Sequence, residues 1–135
     1  MQSVVYLSVD DILEIHRRVI VEFGGELGLR DRGLLESAAA IPAASFAGSE
    51  LHPGVIEKAA AYHFHLCANH AFLDGNKRVA VVAAELFLLL NGLELIAEDS
   101  AIEELTIGVA ERRNSKEQVT SFFLEYVSKP VDESQ

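Results

Sequence analysis

Twelve residues, Val79 to Leu90, constrain this chain more than any other stretch. They read VAVVAAELFLLL, with Glu85 as the one charged side chain. An amphipathic helix shows a single apolar stripe. Here the apolar positions go almost all the way round, so a helix built from them needs cover on most sides. Gly75-Asn76 precedes the run and Asn91-Gly92 follows it, which bounds a helix from about Asn76 to Asn91 with Gly92 as its stop. The run is too short for a bilayer span, which takes about 20 apolar residues. It predicts the central helix of an all-α bundle of five or six helices.

The other segments supply that cover. Ser8 and Asp11 have capping-box spacing, and Ile12, Ile15, Val19, Ile20 and Phe23 follow at helical intervals. They predict a first helix from about Val9 to Phe23, ended by Gly24-Gly25. Asp31 is suited to cap a second, from about Gly33 to Ala40, which Pro42 stops. Ala43 to His52 has no clear period and reads as an irregular surface segment. Pro53 suits the first position of a third helix, from about Gly54 to Asn69. A fifth helix is expected over about Ser100 to Glu111 and a sixth over about Lys116 to Val127, with Phe122, Phe123 and Tyr126 facing the core. Val4 to Leu7 is a short extended run for which Leu93 to Ile96 is a candidate partner strand. All 135 residues form one domain, with a polar tail from about residue 129 to 135.

Charge and cysteine usage narrow the setting. With 21 acidic and 11 basic residues the formal net charge is -10, which argues against a nucleic-acid-binding face. In such a protein the pair Lys77-Arg78 is a local device for an anionic ligand. Cys67 is single, so no intrachain disulfide is expected and a reducing compartment suits the chain. A small apolar role on a helix face describes Cys67 better than a nucleophilic one. Met1 to Val5 lacks the basic segment and long apolar stretch of a signal peptide, so a cytoplasmic protein without a membrane association is expected.

The chemistry concentrates in His70-Ala71-Phe72-Leu73-Asp74-Gly75-Asn76-Lys77-Arg78. A helix beginning near Gly75 turns its free N–H groups toward an anion, and Gly75 lets the backbone come close. Asn76, Lys77 and Arg78 add an amide and two cations for a phosphate. Asp74 is a candidate Mg²⁺ ligand, since that cation favours one or two carboxylates with phosphate oxygens. His70 can accept a proton from a hydroxyl. Phosphoryl transfer mainly needs positioning and charge stabilisation, which these groups supply. Spacing alone leaves a solvated turn as an equal alternative. The remaining histidines are weaker candidates. His63 and His65 diverge on their helix, and His63 reads as a hydrogen-bonded core residue. His16 and His52 read as surface residues.

The run resembles the signature loop of the Fic/Doc family, most closely its Doc (death-on-curing) branch. Gly24-Gly25, the stretch Arg30 to Ala38 and the Phe87 to Gly92 run extend the resemblance, which covers about Leu7 to Tyr126. It implies a compact Fic-type bundle. Fic enzymes carry His-x-Phe-x-acid-Gly-Asn-Gly-Arg-x-x-Arg and transfer AMP from ATP to a protein hydroxyl. This chain has Lys77 at the second glycine and Val81 at the final arginine, as Doc does, while Gly75 stands where Doc itself has alanine. The resemblance therefore implies transfer of the γ-phosphate of ATP to a Ser/Thr hydroxyl of elongation factor Tu, which arrests protein synthesis. AMP transfer, or a non-catalytic binding module of the same fold, is the alternative.

Carried over residue by residue, the resemblance makes His70 the general base, Phe72 a buried anchor and Asp74 the Mg²⁺ ligand. Gly75 and Asn76 would form the anion-binding turn, and Lys77 and Arg78 would stabilise charge on the phosphate. Ala43 to His52 would be the flap that docks the target. The inhibitory pattern Ser/Thr-x-x-x-Glu-Gly/Asn fails at Tyr126 after Ser121 and Glu125, and at Leu105 after Ser100 and Glu104. Control is therefore expected from a separate Phd-like antitoxin, with a monomer in its absence.

Overall fold

Two capping boxes begin helices in this chain. The structure is a computed structural model that describes residues 3–130; the end of the expected polar tail, residues 131–135, lies outside the described residues. The Ser8 hydroxyl accepts from the Asp11 N–H at 3.1 Å while the Asp11 carboxylate accepts from the Ser8 N–H at 2.8 Å, opening α1 (Val9–Phe23). Ser115 and Gln118 form the same reciprocal pair at the start of α6 (Lys116–Tyr126). Asp31 caps α2 (Arg32–Ala40) by accepting from the Leu34 N–H at 3.0 Å. Between these lie α3 (Val55–Asn69), α4 (Asn76–Leu90) and α5 (Asp99–Ala110). Pro53 falls outside α3, whose N-cap is Gly54.

The bundle is all-α, with α3 and α4 as its central pair. α3 packs against α2, α4, α5 and α6, while α1 and α5 cover other sides of α4. Small side chains make up much of the central pair's buried surface: Ala59, Ala60 and Ala61 on α3 and Ala80, Ala83 and Ala84 on α4 are all fully buried. Of the two, α3 is enclosed over more of its length. The end of α4 emerges at Leu89 and Leu90, 57% and 48% exposed. Val119 and Phe123 bring α6 into the core, whereas Tyr126 of the expected stripe stays exposed.

Two antiparallel ribbons flank the helices, and neither is the pairing read from the sequence. β1 (Ser45–Phe46) and β2 (Ser49–Glu50) form a hairpin inside the segment expected to be irregular. Its two-residue turn, Ala47-Gly48, has φ of 52° and 82°, the positive values that a type I′ turn requires. β3 (Glu94–Leu95) pairs with β4 (Val127–Ser128), in the register Glu94 with Ser128 and Leu95 with Val127. Val4 to Leu7 does not join β3, because side chains satisfy its backbone. The Asn91 amide bonds both the N–H and C=O of Val5, each at 2.9 Å. The Tyr62 hydroxyl accepts from the Leu7 N–H at 2.9 Å and donates to its carbonyl at 3.2 Å. Burial pushes the Tyr62 hydroxyl up to about 12.

Several polar groups within the core are paired, while His52 Nδ1, His63 Nδ1 and His65 Nε2 are buried without a hydrogen-bond partner among the described residues. His63 is buried as expected, its Nε2 lying 2.9 Å from the Thr106 hydroxyl. That hydroxyl donates to the Ile102 carbonyl, so the imidazole nitrogen is the donor between them. His52, expected at the surface, is buried instead. Lys116 Nζ approaches its Nε2 at 2.7 Å, and the buried Lys58 ammonium donates to its carbonyl while reaching Glu50 at 3.2 Å. These contacts tie the base of the β1–β2 hairpin to α3 and α6.

Burial holds His63 and His65 neutral to about pH 4, assisted at His65 by the neighbouring Lys116 and His52. In the unfolded chain both take up protons near pH 6.5. Unfolding therefore binds protons between about pH 6.5 and 4, and stability falls as pH drops through that window. Down to about pH 5, before most carboxylates titrate, the loss from His63 alone is on the order of 2 kcal/mol. Urea unfolding midpoints at neutral pH and about pH 5 measure it, and equal midpoints contradict it.

Candidate active site

The connection between α3 and α4 reverses the chain through two left-handed residues. His70 closes α3 at φ 49° and ψ 51°, an uncommon conformation for a residue with a Cβ. Gly75 precedes α4 at φ 81° and ψ 10°, where glycine has no steric cost. What holds this connection is the segment after α1. Arg30 and Asp31 donate their N–H groups to the Ala71 carbonyl at 2.8 and 3.0 Å, and the Leu73 N–H donates to the Gly28 carbonyl at 3.0 Å. The Arg30 guanidinium reaches the carbonyls of His70 at 2.7 Å and Asn69 at 3.1 Å. It thereby satisfies two of the carbonyls left free at the end of α3 and places a cation at the negative end of that helix.

Inside the loop, side chains divide between scaffold and chemistry. Phe72 is buried, the anchor that the motif implies. Asn76 was expected to offer its amide to a phosphate, but that amide is engaged within the loop. Its oxygen accepts from the Phe72 N–H and its nitrogen donates to the Phe72 carbonyl, both at 3.0 Å. The Asn76 backbone N–H, with those of Lys77 and Arg78, lies ahead of the first intrahelical bond of α4, from Val79 N–H to Gly75 C=O at 3.0 Å. An anion at this turn would meet main-chain N–H groups and cations rather than the Asn76 amide.

Asp74 is exposed, and each carboxylate oxygen has one backbone donor: Gly75 N–H at 3.0 Å and Glu26 N–H at 3.2 Å. Remaining lone pairs are free for a cation. Among the described residues no group of three or more His, Cys, Asp or Glu side chains is arranged to hold a metal. A cation here would therefore combine Asp74 with phosphate oxygens and water, the manner in which Mg²⁺ is commonly bound. His70, at the end of α3, and Lys77 and Arg78, in the first turn of α4, are all exposed. The Arg78 guanidinium lies 3.9 Å from the centre of the Phe23 ring, which orients it at the end of α1.

Lys77, Arg78 and Val81 border a groove of about 400 Å³ between α4 and α5. Val82, Ile102 and Ile107 give it apolar walls, and Glu85, Asp99 and Glu103 line it as well. Burial, with Asp99 nearby, pushes the Glu85 carboxyl up. Cys67 is buried, and that burial pushes its thiol up to about 11, so it is no thiolate nucleophile at neutral pH.

The site includes one residue that the sequence reading placed elsewhere. His16, expected at the surface, is 2% exposed. Its ring stacks on Phe72 at 3.9 Å between centroids and 8° between planes, and its Nε2 donates to the Asp74 carbonyl at 2.9 Å. The spacing does carry the signal: His16 stands four residues after Ile12 and three before Val19, on the buried face of α1.

With this geometry, the chain belongs to the Fic/DOC family, whose model matches residues 6–88. It is 45% identical over 93 residues to a protein of Mycolicibacterium smegmatis named toxin Doc, which covers 69% of each chain. It is also 30% identical over 105 residues to the protein kinase doc of Escherichia phage P1, covering 78% of this chain and 82% of that one.

The clamp on Phe72 can be tested directly. Asn76→Ala removes two hydrogen bonds to partly buried backbone groups, which costs about 2 kcal/mol. Asn76→Asp is nearly isosteric but sets an oxygen against the Phe72 carbonyl, so it is expected to be no more stable than the alanine variant. Thermal unfolding that finds Asn76→Asp as stable as wild type excludes the clamp.

Proposed function

We propose that this protein is a Doc-type toxin that transfers the γ-phosphate of ATP to a Ser/Thr hydroxyl of a translation protein. The observation that carries the reading is one surface that joins the exposed Asp74 carboxylate, the free N–H groups at the start of α4, Lys77 and Arg78. That surface suits an anion which changes charge during reaction. The phage P1 relative, named as a protein kinase, supports kinase chemistry.

In the proposed step, the target hydroxyl oxygen attacks the γ-phosphorus and the bond to the β-phosphate oxygen breaks, releasing ADP. The hydroxyl proton passes to the His70 imidazole. Lys77, Arg78 and the α4 N–H groups stabilise the charge on the transferring group. Asp74 would hold Mg²⁺, which when bound neutralises charge across the phosphates. Val81 supports phosphoryl over nucleotidyl transfer, since the groove wall has an aliphatic side chain where Fic enzymes carry a final arginine. The β1–β2 hairpin, with Phe46 77% exposed, would be the target-docking flap. Elongation factor Tu is the target, and a Phd-like antitoxin the controlling partner, that the family resemblance suggests.

ATP labelled separately at its α and γ positions, incubated with elongation factor Tu and Mg²⁺, tests the chemistry. Only the γ-label is expected on the target; α-label there refutes the kinase reading in favour of AMP transfer. His70→Ala is expected to lower transfer about 10²- to 10⁴-fold without changing the melting temperature. In cells it should relieve the growth arrest caused by wild type, and equal toxicity would overturn the role of His70.

A further inference from the structure

We infer that His16 is a positioning residue that fixes the peptide between Asp74 and Gly75, and through it the direction of the Asp74 carboxylate. The inference deepens the proposed function, and its kinetic arm rests on that reading. His16 belongs to α1, yet a single ring touches the loop on both sides of Leu73. It lies flat on Phe72 at 3.9 Å and donates from Nε2 to the Asp74 carbonyl at 2.9 Å. Leu73 between them is 48% exposed, so the contacts hold the loop from its inner side.

The need for such a hold follows from Gly75. Rotation of the 74–75 peptide changes ψ of Asp74 and φ of Gly75, and glycine accepts φ of either sign at little cost. The local backbone therefore does little to prevent a flip. Yet that peptide carries two groups the site uses: its carbonyl bonds His16, and its N–H bonds the Asp74 Oδ1 at 3.0 Å. A flip would break both, and would leave the carboxylate held only through its other oxygen, by the Glu26 N–H at 3.2 Å. The imidazole N–H opposes this rotation from a side that solvent does not reach, as His16 is 2% exposed.

Two substitutions separate the hydrogen bond from the stack. His16→Phe keeps a ring against Phe72 and removes the donor; His16→Gln keeps an N–H donor and removes the ring. Amide hydrogen exchange reads the loop independently of activity. In His16→Phe the Gly75 amide is expected to exchange roughly tenfold faster relative to core amides such as Leu66 and Ala83. The Mg²⁺ concentration for half-maximal phosphate transfer is expected to rise by a similar factor, about tenfold, with His16→Gln recovering most of both changes. Uniformly faster exchange across the domain would mean a merely structural role and overturn the inference. So would wild-type Gly75 exchange, or faster Gly75 exchange with an unchanged Mg²⁺ requirement in an active enzyme. If wild type transfers no phosphate, the proposed function fails, and the relative Gly75 exchange rate alone decides the role of His16.

Discussion

The packing of α3 against α4 is the constraint on which the site depends. Ala59 to Ala61 of α3 and Ala80, Ala83 and Ala84 of α4 are fully buried in the core that the two helices build with their neighbours. Six residues, 70–75, reverse the chain between the two packed helices. The backbone is left-handed at both ends of the turn, and the loop takes part of its hydrogen bonding from outside itself. The segment 26–31 supplies that part, and Asn76 closes the turn from within.

Electrostatics act locally against an unfavourable background. The chain carries a net charge of -10, which by itself repels a nucleotide. Arg30 sits beside the loop, but its guanidinium is engaged by two carbonyls of α3. That leaves Lys77, Arg78 and the positive end of α4 facing solvent at the loop. The carboxylates of Glu85, Asp99 and Glu103 border the adjoining groove, so its cationic and acidic portions differ in what they can accept. An elongated ligand entering there has a preferred direction, with its anionic portion toward Lys77 and Arg78.

What the sequence made legible was local. The capping box at Ser8, the Asp31 cap and the glycine stops work over three or four residues, so helix ends fell within a residue or so of their expected places. Pairings over long separations were not legible. Val4 to Leu7 lost its expected strand partner to the side chains of Tyr62 and Asn91, distant residues that carry no strand signal. The β1–β2 turn has alanine at a positive-φ position, where asparagine or glycine would have announced it. His16 and His52 were misplaced for a related reason. A histidine on a helix or after a hairpin gives no sign of burial until its partners, Asp74 and Phe72 or Lys116, are brought to it.

The motif itself divides in a way that its spelling does not reveal. Phe72 and Asn76 are construction: one is buried against His16, the other holds Phe72 by both backbone groups. Gly75 is a conformational requirement whose freedom needs restraint from outside the loop. His70, Asp74, Lys77 and Arg78 remain exposed, and those are the groups with capacity left for a ligand. Because the Asn76 amide is already engaged, an anion at this turn would meet main-chain N–H groups and the two exposed cations. Such a cradle recognises charge and position more than shape. It suits a phosphoryl group passing between oxygens, whose charge spreads over the transferring oxygens as bonds to donor and acceptor change together.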